Sequence, residues 1–394
     1  MKLLFVVSSL DLTQPFSATP AWWQLLKGLY EVGVEVLATP YQGPAIESLW
    51  WRAEPNPAKL YGDAFKLGRD LLQQVLPPSP TPSPVNDAES LSDQFIRQTA
   101  QRLIAPLWIT HLDRILTRHT DIDALIFLTV PLNHLVGVAE AIQAKHGKPV
   151  LYYDGDVPAS LPNMRGFASG FRIYQGANLA EYSGFISNSD GGRVLLDELG
   201  ARRTHTLYYG ADPDVFSPID VGQQDVDVLF YGHGREYRSE WMDAMLAKPS
   251  HALPDARFAA RGTKLGDIGR TESLPYLSFS KLREYACRSK VNLCITRAAH
   301  ATMPRSSSSR LFELSAMGCC VVANPYDGLE TWFEPNREVF VVQSAEEAIE
   351  RYRYLLAHDA ERRQVGEAAR RRVLAEHTFQ QRARQLCAIV REYL

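Results

Sequence analysis

The chain of 394 residues is long enough for two globular domains, and 45% of its residues are hydrophobic and 22% charged. Its formal net charge is −3, and no basic block or arginine stripe interleaved with aromatic residues occurs, which argues against a nucleic-acid partner. None of the five cysteines lies in a C-x-x-C pair or a Cys/His metal spacing, and their odd number and apolar neighbours indicate reduced thiols in a cytoplasmic protein. We also expect neither a metal nor a cofactor.

The first half of the chain is predicted to alternate strands and helices. Residues 2–8 are a continuous apolar run, typical of a buried parallel strand. The run is too short to cross a bilayer and has no small-residue cleavage site, so we expect no transmembrane segment. Strands are predicted at 2–8, 34–40, 123–130, 148–154, 184–190 and 204–210, and helices at 21–33, 91–119, 132–146 and 190–200.

The same alternation restarts after a polar segment at 216–225. Strands are predicted at 226–232, 257–262, 290–297, 319–324 and 339–344, and helices at about 238–247, 278–288, 309–318 and 345–357. The stretch from about 361 to 394 is helical and amphipathic, and it is long enough to cross back onto the first half of the chain.

Two consecutive Rossmann-like halves would bring their strand carboxyl ends to a shared central cleft, where ligands of open α/β sheets bind. We therefore predict an α/β protein with an N-terminal domain at 1–217 and a C-terminal domain at 218–375. A last helix at 376–394 is expected to pack on the first domain. The Pro/Ser-rich stretch at about 75–90 is unsuited to a helix interior or a central strand, and is predicted to be a surface excursion.

A serine-rich loop that runs into a helix is the most informative motif. The free N–H groups and partial positive charge of a helix N-terminus suit a pyrophosphate. Ser308, Ser309, Arg310 and Leu311 are the predicted contacts, and a carboxylate one turn further in, Glu313, can accept two hydrogen bonds from a ribose. Helix capping alone explains the pattern imperfectly, because a capping box places its Glu three residues after the cap rather than four.

The pattern R-L-F-E-x-x-A-x-G at 310–318, followed by D-G-L-E at 327–330, resembles the C-terminal signature of group-1 glycosyltransferases. It is most similar to the subgroup related to spore-maturation glycosyltransferases. The resemblance implies a GT-B fold, a donor bound mainly by the second domain, and Glu313 on the donor ribose. The sequence departs from the family at Arg305, where a second Glu often stands near the transferred sugar, so the donor sugar is not predicted.

The resemblance implies that basic residues after the strands of the second domain stabilise the leaving diphosphate, because related enzymes place basic side chains there. Gly234 belongs to a Gly-x-Gly turn after the strand at 226–232, where the backbone can approach a ligand closely. Arg235 and Arg238 follow this turn, and Arg297 ends the strand at 290–297. A plain strand-to-helix turn is the alternative interpretation of the glycines.

Asp154 and Asp156 form a D-x-D pattern after a predicted strand. Such a pattern can hold a divalent metal, as in the GT-A glycosyltransferases, but that fold has no two complete Rossmann-like halves, so we expect no metal. Either carboxylate could instead contact the acceptor or act as a general base. The third possibility is a turn in which the side chains cap backbone N–H groups.

The remaining candidates lie in the first domain. His134 follows a predicted strand and could act as an acid or base near neutral pH, or it could merely cap a helix. Asp11, Gln14 and Asn133 are the predicted acceptor contacts, because they follow strands at the cleft edge.

The leading hypothesis is a glycosyltransferase, of hexosyltransferase type, that moves a sugar from a nucleoside-diphosphate sugar to an acceptor without a metal. The family resemblance implies retention of the anomeric configuration. Inversion would require a base such as Asp154, Asp156 or His134. Two alternatives stay open: a nucleotide-sugar epimerase on the same fold, and a non-catalytic nucleotide-sugar-binding module.

Overall fold

The computed structural model describes residues 1–12, 20–60, 91–157, 173–234, 238–275 and 279–394. The predicted excursion at 75–90 lies outside these residues, as do Gln14 and Arg235. Within the described part of the chain, no helix has the length and apolar character needed to cross a membrane.

The first sheet contains seven parallel strands in the order β3-β2-β1-β4-β5-β6-β7. Leu3 in β1 pairs with Val36 on one side and with Ala124 on the other, so the predicted first strand is central. The strands are β1 (Lys2–Ser9), β2 (Glu35–Gln42), β3 (Arg52–Ala53), β4 (Ala124–Leu128), β5 (Val150–Asp154), β6 (Gly184–Ser187) and β7 (Thr204–Thr206). The α-helices around it are α1 (Ala21–Glu31), α2 (Leu91–Arg118), α3 (Val138–His146) and α4 (Asp190–Glu198), with 3₁₀ turns at Leu132–His134 and Leu179–Glu181.

The second sheet contains six parallel strands in the order β10-β9-β8-β11-β12-β13. They are β8 (Val226–His233), β9 (Phe258–Thr263), β10 (Glu272–Ser273), β11 (Ser289–Cys294), β12 (Val321–Ala323) and β13 (Phe340–Val341). The α-helices are α5 (Ser239–Met242), α6 (Lys248–Ala252), α7 (Phe279–Arg288), α8 (Ala298–Ala301), α9 (Ser309–Ala316), α10 (Ala345–Ala357), α11 (Asp359–Glu376) and α12 (Phe379–Arg391); a π-helical turn, Asp243–Ala247, joins α5 to α6, and Leu329–Thr331 is a 3₁₀ turn.

Each sheet has hydrophobic clusters on both faces, which explains why the strands are continuous apolar runs rather than alternating patterns. In both sheets the order reverses beside the first strand, between β1 and β4 and between β8 and β11. Ligands of open α/β sheets bind outside the carboxyl ends of strands at such a switch point. The predicted fold of two Rossmann-like domains is thus confirmed, and residues 207–225 connect the two sheets.

The C-terminal helix returns to the first domain, as predicted. α12 packs against α1, where Gly28 allows the close approach: a Cβ atom added at Gly28 would lie 2.7 Å from the backbone oxygen of Phe379. A capping box between Thr378 and Gln381 starts α12. Backbone hydrogen bonds between Ala211 and the residues around Thr378 hold this turn against the first domain.

The structure corrects several predicted elements. The helix predicted over 132–146 is a 3₁₀ turn followed by α3, because Gly137 between them has a φ of 84°. The stretch predicted to be helical from about 361 consists of α11 and α12, which are separated at the Thr378 cap. The edge strands β3 and β10 are two residues long each, too short to leave a periodic signal in the sequence.

Candidate functional site

The helix that follows the serine cluster, α9, begins after Ser308. Ser308 has an extended backbone, and its side chain makes no capping hydrogen bond to the helix. Its carbonyl oxygen accepts the N–H of Leu311 at 3.2 Å, and the Leu311 side chain is fully buried. The Ser308 side chain therefore does not cap this helix end, and the Leu311 side chain packs in the hydrophobic core.

The serines before α9 hold the start of the helix against the first domain. The Ser307 hydroxyl accepts the backbone N–H of Tyr209 at 2.9 Å and donates to the carbonyl of Asn188 at 3.3 Å. Ser306 forms a β-bridge with Ser189. The N-terminus of α9 thus lies at the boundary between the two domains, beside the strand ends of the first sheet.

Glu313 is fully buried at this boundary. Its Oε2 atom accepts from Arg310 at 3.0 Å, and its Oε1 atom accepts from the Gln24 side chain of α1 at 3.3 Å. Burial raises the pKa of Glu313, and Arg310 and Gln24 counteract that effect. Gln24 in turn accepts the backbone N–H of Asp212 at 2.9 Å. The carboxylate that the sequence assigns to a ribose therefore has protein partners from both domains.

Three arginines lie around the switch point of the second sheet. Arg238 follows β8 and donates from Nε to the carbonyl of Ile295 at 2.6 Å. Arg297 follows β11. The guanidinium of Arg310 stacks on Tyr231, 3.5 Å from the centre of its ring. Burial, together with the positive charges of Arg297 and Arg310, lowers the pKa of Arg238. The site concentrates positive charge where an anion would be stabilised.

Gly234 lies where the backbones of two adjacent loops touch. A Cβ atom at this position would overlap the carbonyl oxygens of Thr263, the last residue of β9, and of Lys264, the residue after it. Close backbone packing thus accounts for this glycine. Its predicted approach to a ligand stays a prediction.

The two carboxylates of the D-x-D pattern have different environments. Asp154 is fully buried, and it accepts the backbone N–H of Asp156 at 2.8 Å and the hydroxyl of Tyr174 at 2.5 Å. Asp156 instead forms an ion pair with Arg297 across the cleft, with His300 Nε2 at 3.5 Å. Burial would raise the pKa of Asp156, but Arg297 and His300 outweigh burial and lower it to about 2. Asp156 is thus ionised and faces the arginine cluster, whereas Asp154 stabilises its own turn.

No group of three His, Cys, Asp or Glu side chains in the described ranges is arranged to hold a metal ion.

The first-domain candidates have partners of their own. The Nδ1 atom of His134 lies 2.8 Å from the hydroxyl of Tyr41, and burial lowers the pKa of His134 to about 4. The Asn133 side chain donates to the carbonyl of Gln175 at 3.1 Å. Asp11 lies just past β1, and its N–H donates to Ser9 at 3.1 Å. His134 is therefore neutral near pH 7 and pairs with the end of β2 rather than with the arginine cluster.

Two residues of the site were missed at the sequence level. His300 is buried, its Nδ1 atom lies 2.7 Å from the hydroxyl of Ser306, and its Nε2 atom lies 2.9 Å from Arg297. The spacing of three residues between Arg297 and His300 in a helical turn was an available signal. Gln24 left no local signal, because its partner Glu313 is 289 positions away.

Comparisons with known proteins give a similarity in sequence for the second half of the chain and a similarity in fold for the whole chain. Residues 235–388 match the family model described as glycosyl transferase-like. No curated protein matches the chain in sequence. The family model thus covers most of the second domain and reaches into α12.

Solved structures extend the similarity to the whole chain. Sucrose-phosphate synthase from Thermosynechococcus elongatus superposes with a TM-score of 0.62 at 14% identity, over 99% of this chain and 98% of that one. HepE from Anabaena, solved in complex with UDP-glucose, gives a TM-score of 0.60 at 13% identity over 100% of both chains. A glycosyltransferase from Rickettsia africae gives a TM-score of 0.57 at 13% identity, over 100% of this chain and 98% of that one. The protein therefore has the two-domain fold of GT-B glycosyltransferases, and its second domain is glycosyl transferase-like in sequence.

Proposed function

We propose that the protein is a glycosyltransferase that moves a sugar from a nucleoside-diphosphate sugar to an acceptor held by the first domain. One observation carries the proposal: Arg238, Arg297 and Arg310 come from three different segments and lie close enough together that Arg297 and Arg310 both lower the pKa of Arg238, which is bonded to the carbonyl of Ile295. They lie at the strand ends where α/β sheets bind ligands.

A diphosphate satisfies this arrangement chemically. Guanidinium groups donate paired hydrogen bonds to phosphate oxygens, and a helix N-terminus adds backbone donors and partial positive charge. When the sugar leaves, negative charge develops on the diphosphate, and donors already in position stabilise that charge. These groups supply the stabilisation that a metal would otherwise give, so we propose a metal-independent reaction.

We propose that Glu313 binds the ribose of the donor. A carboxylate can accept both hydroxyls of a ribose, and Arg310 on its other side partly offsets the rise in its pKa that burial causes. The Gln24 side chain donates a hydrogen bond to Oε1 of Glu313 at 3.3 Å, so the ribose must displace Gln24 from that oxygen. Donor binding would thus exchange a contact between the domains for a contact to the ligand.

The finer assignments are part of the same proposal. The motif from Arg310 to Gly318 supports a group-1 enzyme related to spore-maturation glycosyltransferases, which transfers a hexose with retention. Under retention, the departing phosphate oxygen accepts the proton of the acceptor hydroxyl, and no enzymic base is needed. The paired state of Asp156 agrees with this, because a carboxylate with a pKa of about 2 is a weak base at neutral pH.

Incubation with a panel of nucleoside-diphosphate sugars tests the proposal, beginning with UDP-glucose because HepE was solved with it. The expected result is slow release of free nucleoside diphosphate, since transferases hydrolyse donors in the absence of acceptor. Phosphorus NMR monitors the release. An epimerised donor without release would instead identify an epimerase. Tight binding without any turnover would identify a binding module.

A further inference from the structure

His300 lies between the arginine cluster and the serines that precede α9. It belongs to α8, the single helical turn that follows Arg297, and its backbone N–H donates to the carbonyl of Arg297 at 3.0 Å. The residue is buried. Its Nε2 atom lies 2.9 Å from Nη2 of Arg297, and its Nδ1 atom lies 2.7 Å from the hydroxyl of Ser306. The two ring nitrogens therefore join two different parts of the site.

The partners of His300 determine its tautomer. A guanidinium can only donate hydrogen bonds, so Nε2 must accept from Arg297, and the ring proton lies on Nδ1 and is donated to Ser306. Burial and the positive charge of Arg297 lower the pKa of His300, although Asp156, with its Oδ1 atom 3.5 Å from Nε2, opposes this effect. The imidazole is therefore neutral near pH 7 and is an acceptor toward Arg297.

The Arg297 guanidinium is restrained from both domains. Its Nη2 atom donates to the carboxylate of Asp156 in the first domain and to Nε2 of His300 in the second. The two acceptors differ in charge. Asp156 offsets part of the positive charge of Arg297, whereas a neutral imidazole leaves that charge unchanged. His300 thus restrains the guanidinium without reducing its attraction for an anion.

The imidazole is itself held by a well-fixed hydroxyl. Ser306 is fully buried, and its backbone N–H donates to the carbonyl of Met303 at 3.2 Å. Ser306 also forms a β-bridge with Ser189 of the first domain. Rotation of the His300 ring would break the hydrogen bond to Ser306 and leave a buried polar group without a partner, which is unfavourable. The ring is therefore a stable support for Arg297.

We propose that His300 is a positioning residue of the diphosphate site, which orients the Arg297 guanidinium for the phosphates through a neutral acceptor. The inference rests on the proposed function, since it assumes that Arg297 binds the diphosphate. An arginine side chain loses rotamer freedom when it is fixed on a ligand, and a residue that already restrains it reduces that loss on binding. Removal of the acceptor should therefore weaken diphosphate binding, although His300 itself does not touch the donor.

Titration calorimetry on the full-length protein tests the proposal. The ligand is whichever of the uridine, guanosine, thymidine and adenosine diphosphates raises the Tm most. In His300→Gln, the amide oxygen can replace Nε2 as the acceptor for Arg297. In His300→Asn, the amide nitrogen can replace Nδ1 as the donor to Ser306, but the acceptor for Arg297 is lost. The Kd should rise by about fivefold in His300→Asn and stay within about twofold of wild type in His300→Gln.

A double-mutant cycle shows whether His300 acts through Arg297. In the Arg297→Ala background, His300→Asn should change the Kd by less than about twofold, because the side chain that it orients is already absent. Circular dichroism checks that each variant is folded. A loss of about fivefold that persists in this background would overturn the proposal. Equal losses in His300→Asn and His300→Gln would also overturn it, because they would indicate a role in packing alone.

The same measurements separate this inference from the proposed function. Absence of binding of all four nucleotides to the wild-type protein would overturn both. Binding that weakens in Arg297→Ala but not in His300→Asn would overturn the role of His300 and leave the proposed function standing.

Discussion

Gln24 in the first domain donates a hydrogen bond to Glu313 in the second domain, with 3.3 Å between Nε2 and Oε1. Both side chains are fully buried, and Arg310 holds the other oxygen of Glu313. The residue that the sequence motif assigns to the donor is thus also a contact between the domains. Under the proposed ribose assignment, donor binding would be coupled to the relative placement of the domains through this carboxylate.

Substitutions of Glu313 and Gln24 should affect nucleotide affinity differently. Glu313→Gln should weaken nucleoside diphosphate binding by roughly 10- to 100-fold, because a hydrogen bond to a charged group contributes about 1.5–3 kcal/mol. Gln24→Ala should leave affinity unchanged or improve it, since the ribose no longer competes for Oε1. Titration calorimetry measures both. Unchanged affinity in Glu313→Gln would remove the ribose assignment.

Removal of a cluster arginine should weaken diphosphate binding. Arg297→Ala is expected to raise the Kd for a nucleoside diphosphate by at least about tenfold, because a charge-assisted hydrogen bond to phosphate is lost. The matched control is Arg257→Ala, an exposed arginine of the same domain that pairs with Glu272. Equal losses in both variants would show that general charge, rather than the cluster, attracts the nucleotide.

The ion pair between Asp156 and Arg297 predicts a pH dependence of stability. The pKa of Asp156 in the folded protein is about 2, below the ordinary 3.8, so its ionised form favours folding. This contribution is fully present above about pH 4 and is lost as the pH falls toward 2. In thermal melts, the difference in Tm between wild type and Asp156→Asn should therefore narrow over that range. A difference in Tm that stays constant or widens on acidification would contradict the ion pair.

Gly28 should be intolerant of a side chain, although it lies within a helix. Alanine normally stabilises a helix interior relative to glycine, but here its Cβ would lie 2.7 Å from the backbone oxygen of Phe379. Gly28→Ala should thus lower the free energy of unfolding by about 1–3 kcal/mol as α12 is pushed from α1. Urea denaturation measures the change, with the exposed Tyr30→Ala on the same helix as control. A stabilised Gly28→Ala protein would mean that α12 packs elsewhere.

The order of strands and helices could be predicted from the sequence because both sheets are parallel and buried, so that nearly every strand is a short apolar run. The positions of Arg238 and Arg297 followed from the same pattern, since residues after parallel strands gather at one edge of the sheet. The D-x-D pattern could not be resolved in the same way. Only the structure distinguishes Asp154, bonded within its own turn, from Asp156, which faces Arg297.

Contacts between distant segments could not be predicted. Gln24 lies in an amphipathic helix with no feature that marks a buried amide, and its partner is contributed by the other domain. The hydrogen bond between Tyr41 and His134 likewise joins β2 to a turn beyond β4, which a local pattern does not encode.

A crystal structure with UDP bound would show where the diphosphate lies. We expect its phosphate oxygens within hydrogen-bond distance of the N-terminus of α9 and of at least one of Arg238, Arg297 and Arg310. The ribose should lie on Glu313 in the place of the Gln24 amide. A nucleotide bound elsewhere, with the hydrogen bond between Gln24 and Glu313 intact, would contradict this expectation.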